Sequence, residues 1–173
     1  MATEPEIRRV FLALWPDGAT RAALARVGAS LDGPGRAVPR AHLHLTLAFA
    51  GRVAGAQAAC LSAGIRQLAT NPIELTLDRL GHFAGPRITW IGPSTAPPAL
   101  SALAERARDL CRDCGIDLGP ARPFRPHVSL RRHADPPARE RVEPPVCWRA
   151  DTVVLVESGR DGHPGAYRLL AQT

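Results

Sequence analysis

The chain has 173 residues, 45% of them hydrophobic and 22% charged, which suits one folded domain of ordinary size and excludes a largely disordered or fibrous protein. Its formal net charge is +6 and it contains no lysine, so every basic side chain is an arginine, a residue that binds phosphate bidentately and favours acidic partners. No apolar run nears the roughly 20 residues that span a bilayer, the N-terminal stretch does not read as a secretory signal, and the four cysteines (Cys60, Cys111, Cys114, Cys147) sit in a chain large enough to fold without cross-links; a reducing cytoplasmic location with no membrane partner is expected.

The short apolar run from about Arg9 to Leu14, with Val10 and Phe11, predicts a buried strand. Asp17 offers an N-cap to a helix in which Ala23, Leu24, Val27 and Leu31 recur at helical spacing until Gly33-Pro34-Gly35. From Leu43 to Phe49 the period is two: Leu43, Leu45, Leu47 and Phe49 fall on one side, His44, Thr46 and Ala48 on the other. A second helix is expected from about Gln57 to Ala69, then strands near 73–80 and 87–91 joined by a turn at Gly85-Pro86.

Ser94 and Thr95 are placed to cap a third helix that opens with Pro97 and Pro98, keeps Leu100, Leu103, Ala107 and Leu110 on one stripe, and stops at Gly115. Cys111-x-x-Cys114 falls at its end with no second pair to complete a zinc site. A Pro-rich approach, Pro120 to Pro126, leads to a strand near 128–130, then a charged Pro-rich loop to Pro145. Strands near 151–157 and 166–170 follow, with Gly159, Gly162, Pro164 and Gly165 marking the hairpin between them. The order β-α-β-α-β-β-α-β-β-β predicts an α+β fold with mainly antiparallel sheets, and no linker composition interrupts it.

One pattern recurs. His44-Leu45-Thr46-Leu47 in the first half is matched by His127-Val128-Ser129-Leu130 in the second: histidine, aliphatic, hydroxyl, aliphatic. In a strand, residues two apart point the same way, so each motif offers an imidazole beside a hydroxyl while its aliphatic residues anchor the opposite face. Two such strands converging on one cleft would suit phosphoryl chemistry, because one imidazole can be neutral and remove a proton while the other is protonated and supplies one.

With its surroundings the pattern resembles the 2H phosphoesterases, and within them the RNA 2′,3′-cyclic phosphodiesterases also called 2′-5′ RNA ligases. The resemblance runs from Arg9-Val10-Phe11-Leu12-Ala13 through the block His42 to Gly51, Leu80-Gly81-His82-Phe83 and Pro86 to Trp90. It continues in Phe124-Arg125-Pro126 with the second motif and Arg132, then Leu155 to Ser158 and Tyr167-Arg168-Leu169. It implies a single bilobal domain over residues 1–173, made of two pseudo-symmetric antiparallel β-sheets flanked by helices, with one motif strand lining the cleft from each side.

By the same resemblance His44 would be the proton donor and His127 the proton acceptor, Thr46 and Ser129 would hold phosphate oxygens, and Arg132 would add charge. The implied activity opens a terminal 2′,3′-cyclic phosphate on RNA to a 2′-phosphomonoester without a metal or other cofactor, and in reverse joins ends through a 2′-5′ bond. Alternatives are a phosphodiesterase for 2′-5′ oligoadenylates or small cyclic nucleotide phosphates, and a noncatalytic RNA-end binding module. The implied state is a monomer. Ser129 stands where Thr is usual, and Ala50 where a bulkier apolar residue is common.

Strand alternation would carry Arg131 rather than Arg132 onto the face of His127 and Ser129, whereas the family pattern favours Arg132, so both are candidate phosphate ligands. Phe11 either packs in the core or offers its ring to a nucleobase. His42 is assigned to the strand entrance, and His82, His133 and His163 to solvated turns and loops. Trp15, Trp90 and Trp148 are read as packing anchors.

Overall fold

The structure, a computed structural model, describes residues 6–159 and 166–173; His163 and the Gly162, Pro164 and Gly165 part of the expected hairpin lie outside them. The described strands are β1 (Ile7–Leu14), β2 (Arg36–Ala37), β3 (Leu45–Ala54), β4 (Ile73–Phe83), β5 (Ile88–Gly92), β6 (Val128–Arg132), β7 (Arg141–Ala150), β8 (Val153–Ser158) and β9 (Tyr167–Gln172). The helices are α1 (Gly18–Ala29), α2 (Gly55–Gly64) and α3 (Pro98–Asp113), with 3₁₀ turns at Arg40–His42 and Ile65–Leu68. The α+β expectation is met, and every described strand pairing is antiparallel.

Strand order is β7-β4-β5-β6-β3-β1-β8-β9, with β2 added beside β6. The two sheets implied by the resemblance thus meet edge to edge: β7-β4-β5-β6 forms one half, β3-β1-β8-β9 the other, and they join through a single paired position, Leu45 opposite Val128. The helices cross over. Helix α1 follows β1 in the chain but packs on β6 and β7, while α3 follows β5 and packs on β3 beside α2. A large apolar core results, containing Leu12, Leu14, Leu24, Leu45, Leu103, Val128 and Trp148, with a smaller separate cluster of Phe11, Ala13, Val154 and Val156.

Asp17 caps α1 as expected, one carboxylate oxygen accepting from the Thr20 backbone N–H and the other from its hydroxyl, each at 2.8 Å. The α3 stripe of Leu100, Leu103, Ala107 and Leu110 is buried. Ser94, expected as a cap of α3, instead bonds Asp78, and Pro97 occupies the cap position without a side-chain bond. The expected second helix is shorter, its last turn tightening into 3₁₀.

Two expectations are corrected. Arg141–Ala150 is a strand despite Pro144 and Pro145; β7 lies at the end of the sheet, where its outer edge has no ladder for a missing N–H to break. Cys60 of α2 and Cys114 at the end of α3 form a disulfide with Cα atoms 5.8 Å apart, so these two cysteines cross-link the helices over the β3-β1-β8-β9 half.

Candidate active site

Because Leu45 and Val128 are buried and paired across β3 and β6, the residues flanking each emerge on the opposite face. His44 and Thr46 on one strand, with His127 and Ser129 on the other, are therefore brought to one face of the junction between the halves. His44, Thr46 and Ser129 line a cleft of about 920 Å³. His127 is not part of that lining: its ring stands edge-on to Phe83 at 4.9 Å and beside Trp90 at 6.1 Å.

Both imidazoles are held alike. His44 Nδ1 lies 2.6 Å from the His42 carbonyl oxygen and His127 Nδ1 lies 2.7 Å from that of Arg125. A carbonyl only accepts, so Nδ1 carries the hydrogen in both rings, and Nε2 is the nitrogen that gains or loses a proton. Thr46 Oγ1 is 3.1 Å from His44 Nε2 and donates to it while the ring is neutral. Below His44, Phe11 stacks at 4.7 Å and Trp15 at 6.0 Å, with Tyr167 edge-on at 5.7 Å.

These apolar walls set the electrostatics. Burial, reinforced by the positive charges of His127, Arg132 and His42, lowers His44 to about 4, against the opposing effect of the His42 carbonyl. Burial also lowers His127, opposed by the Arg125 carbonyl. Both rings are thus biased toward neutrality until negative charge enters.

A β-bulge sends the two arginines to different places. On β5, Thr89 pairs with Arg131 and Trp90 with Ser129, so Leu130 is an extra residue in β6 and the alternation slips by one. Arg132 is carried to the cleft, which it lines. Arg131 is corrected away from it: its guanidinium donates to the carbonyls of Leu31, Gly33 and Gly35. The first motif has a matching bulge, since Leu12 pairs with Ala48 and Ala13 with Thr46, leaving Leu47 extra. Phe49, expected on the core side, is consequently 50% exposed in the cleft, while Ala48 turns inward.

Phe11 belongs to the cleft floor but is 3% exposed, its ring occupied by His44, Phe49 and Tyr167, so it supports His44 and presents no open face to a base. His42 sits in the 3₁₀ turn, lines the cleft and packs on Tyr167 at 4.2 Å. His82, expected in a turn, lies on β4 and its Nε2 is 3.0 Å from the Ala134 carbonyl. His133 is exposed and lines the cleft. Trp90 lies over Gly81, where an added Cβ would come within 2.1 Å of the indole, so the glycine lets the ring reach His127. The sequence reading did not single out Arg9, Arg36 or Tyr167 as lining residues; Tyr167 lay within the resemblance, but no local signal marked Arg36.

Among the described residues, no helix is long and apolar enough to cross a membrane, and no cluster of three or more His, Cys, Asp or Glu forms a metal site. The family model of the 2′-5′ RNA ligase superfamily matches residues 14–162. The RNA 2′,3′-cyclic phosphodiesterase of Escherichia coli (strain K12) is 36% identical over 100 residues, 58% of this chain and 56% of that protein, so the match spans little more than half the relative's length. The crystal structure of E. coli LigT in apo form superposes with a TM-score of 0.83 at 28% identity, covering 97% of both chains. LigT complexed with 3′-AMP gives 0.82 at 28% identity over 97% of this chain and 98% of that one. A structure from Thermus thermophilus, TT0787, gives 0.77 at 27% identity over 95% of this chain and 96% of that one. With most of its length matched by the family model and both histidine motifs gathered at the junction of its two halves, the chain belongs to the 2′-5′ RNA ligase superfamily.

Proposed function

We propose that the chain is an RNA 2′,3′-cyclic phosphodiesterase that opens a terminal cyclic phosphate to a 2′-phosphomonoester by two-histidine acid and base catalysis. The observation that carries this reading is the pair of motif strands joined at Leu45 and Val128, with both Nδ1 atoms committed to carbonyls and both Nε2 atoms left to move protons. Its likeness to the E. coli phosphodiesterase supports the same substrate class.

In the proposed reaction, neutral His127 takes a proton from water through Nε2 as the water oxygen bonds to phosphorus. The bond from phosphorus to the 3′ oxygen breaks, and protonated His44 gives its Nε2 proton to that oxygen. Thr46, Ser129 and Arg132 hold the non-bridging oxygens as negative charge gathers on them. The phosphate supplies what His44 lacks in the free chain: its negative charge offsets Arg132 and His127 and favours the imidazolium. One proton has passed from His44 to the leaving oxygen and one from water to His127, and solvent resets both rings.

Both proton transfers are assigned to side chains, so the reading is of a metal-independent enzyme, acting as a cytoplasmic monomer built as one bilobal domain. The test is hydrolysis of an oligoribonucleotide ending in a 2′,3′-cyclic phosphate with EDTA present. A 2′-phosphomonoester product formed at an unchanged rate supports the reading. A metal requirement, a preference for 2′-5′ oligoadenylate or small cyclic phosphates, or binding without turnover would replace it.

A further inference from the structure

The segment before the 3₁₀ turn is pinned against β6 by three devices. Strand β2 pairs Arg36 with Arg132 and Ala37 with Arg131, and the Val38 N–H donates to the Leu130 carbonyl at 2.8 Å. Gly35, at φ +110°, approaches so closely that a Cβ would stand 2.7 Å from the Arg132 carbonyl oxygen. The Arg131 guanidinium ties the carbonyls of Leu31, Gly33 and Gly35 to the same strand. All this sets Arg36 directly across from Arg132 on the rim of the cleft, which both line.

Like charges opposed across neighbouring strands are destabilising. Among the described residues, no carboxylate pairs with Arg36 or Arg132, and neither guanidinium donates a hydrogen bond. Such a pair is held together most readily by anions. A cyclic phosphodiester carries one negative charge and two non-bridging oxygens, already addressed by Thr46, Ser129 and Arg132 in the reading above, so Arg36 is surplus to it.

We propose that Arg36 binds a second phosphate, the internucleotide phosphodiester immediately upstream of the cyclic end, so that the site takes oligoribonucleotides in preference to cyclic mononucleotides. The inference rests on the phosphodiesterase reading and assigns Arg131 and Gly35 the task of positioning Arg36.

The experiment compares kcat/KM for a 2′,3′-cyclic mononucleotide, a dinucleotide with the same cyclic end, and that dinucleotide with a neutral methylphosphonate linkage. Arg36→Ala is expected to lower kcat/KM for the charged dinucleotide about tenfold more than for the mononucleotide, chiefly through KM. It should make no further difference on the methylphosphonate. The salt dependence for the charged dinucleotide should lose about 0.7 in logarithmic slope, the value of one single-strand phosphate contact. Arg36→Lys should restore part of the preference, which a merely structural role would not. Equal losses on all three substrates would place Arg36 at the scissile phosphate and overturn the proposal, as would no loss on any. A wild-type chain that opens none of them would refute the parent reading, a result distinct from either.

Discussion

Burial and neighbouring positive charge hold His44 at about 4 in the free chain, and this has a measurable kinetic cost. At pH 7 only about one free molecule in a thousand carries the His44 proton that the leaving 3′ oxygen needs. His127 is also lowered, so it is a base already in its working state. The proposed reactive form is therefore the minor one, with the lower-pKa ring protonated and the other neutral. Its population is level between the two pKa values and falls about tenfold per pH unit beyond either. Since kcat/KM reports the free enzyme, its profile should reach a maximum below pH 6.5 and decline steeply through neutrality. The kcat profile reports the bound complex, where the phosphate's charge raises His44, and its alkaline limb should lie at higher pH. His127→Ala should abolish the acidic limb and leave a decline that begins near 4; His44→Ala should abolish the alkaline limb. Each should cost roughly 10²- to 10⁴-fold, and the double variant little more than either. The assay is initial-rate hydrolysis of a cyclic-phosphate dinucleotide from pH 4 to 9, with a nuclear magnetic resonance titration of both imidazoles. A free His44 titrating at or above 6.5 would refute the electrostatic argument, and an alkaline limb lost in His127→Ala but kept in His44→Ala would exchange the two roles.

The bulge at Leu130 separates the two arginines experimentally. Arg132→Ala should weaken capture and reduce its salt dependence, whereas Arg131→Ala should lower stability by about 1–3 kcal/mol in urea denaturation, because it releases the carbonyls of the loop after α1. Gly81→Ala should displace Trp90 from beside His127, with kcat falling and the His127 titration moving up toward 6.5 as water reaches the ring. Acid should destabilise the fold through His44: its folded value lies below its unfolded one, so the unfolded chain binds the extra proton first and the melting temperature drops as pH falls from about 6.5 toward 4, less so in His44→Gln.

The two motif strands were legible because period-two alternation states which side chains share a face, and the recurrence of that pattern pointed to a shared cleft. The same rule failed a few residues downstream for a physical reason. A bulge adds a residue without any compositional mark, and one in each motif strand turned Phe49 outward and exchanged Arg131 for Arg132. Strand β7 was hidden by prolines that only an edge position tolerates, and β2 by being two residues long. The Cys60–Cys114 bond joins positions far apart in the chain that only the packing of α2 beside α3 brings together.

The crossing of the helices bears on how the molecule could come apart. Each half-sheet is roofed in part by a helix that follows a strand of the other: α1 leaves β1 to cover β6 and β7, and α3 leaves β5 to cover β3. Separating the halves therefore means stretching the links from β1 to α1 and from β5 to α3, or lifting a helix off its sheet. With the Cys60–Cys114 bond reduced, a cut between α2 and β4 would leave two fragments, each owning a helix that packs on strands of its partner. Such fragments should regain shape by reassociating rather than by folding singly.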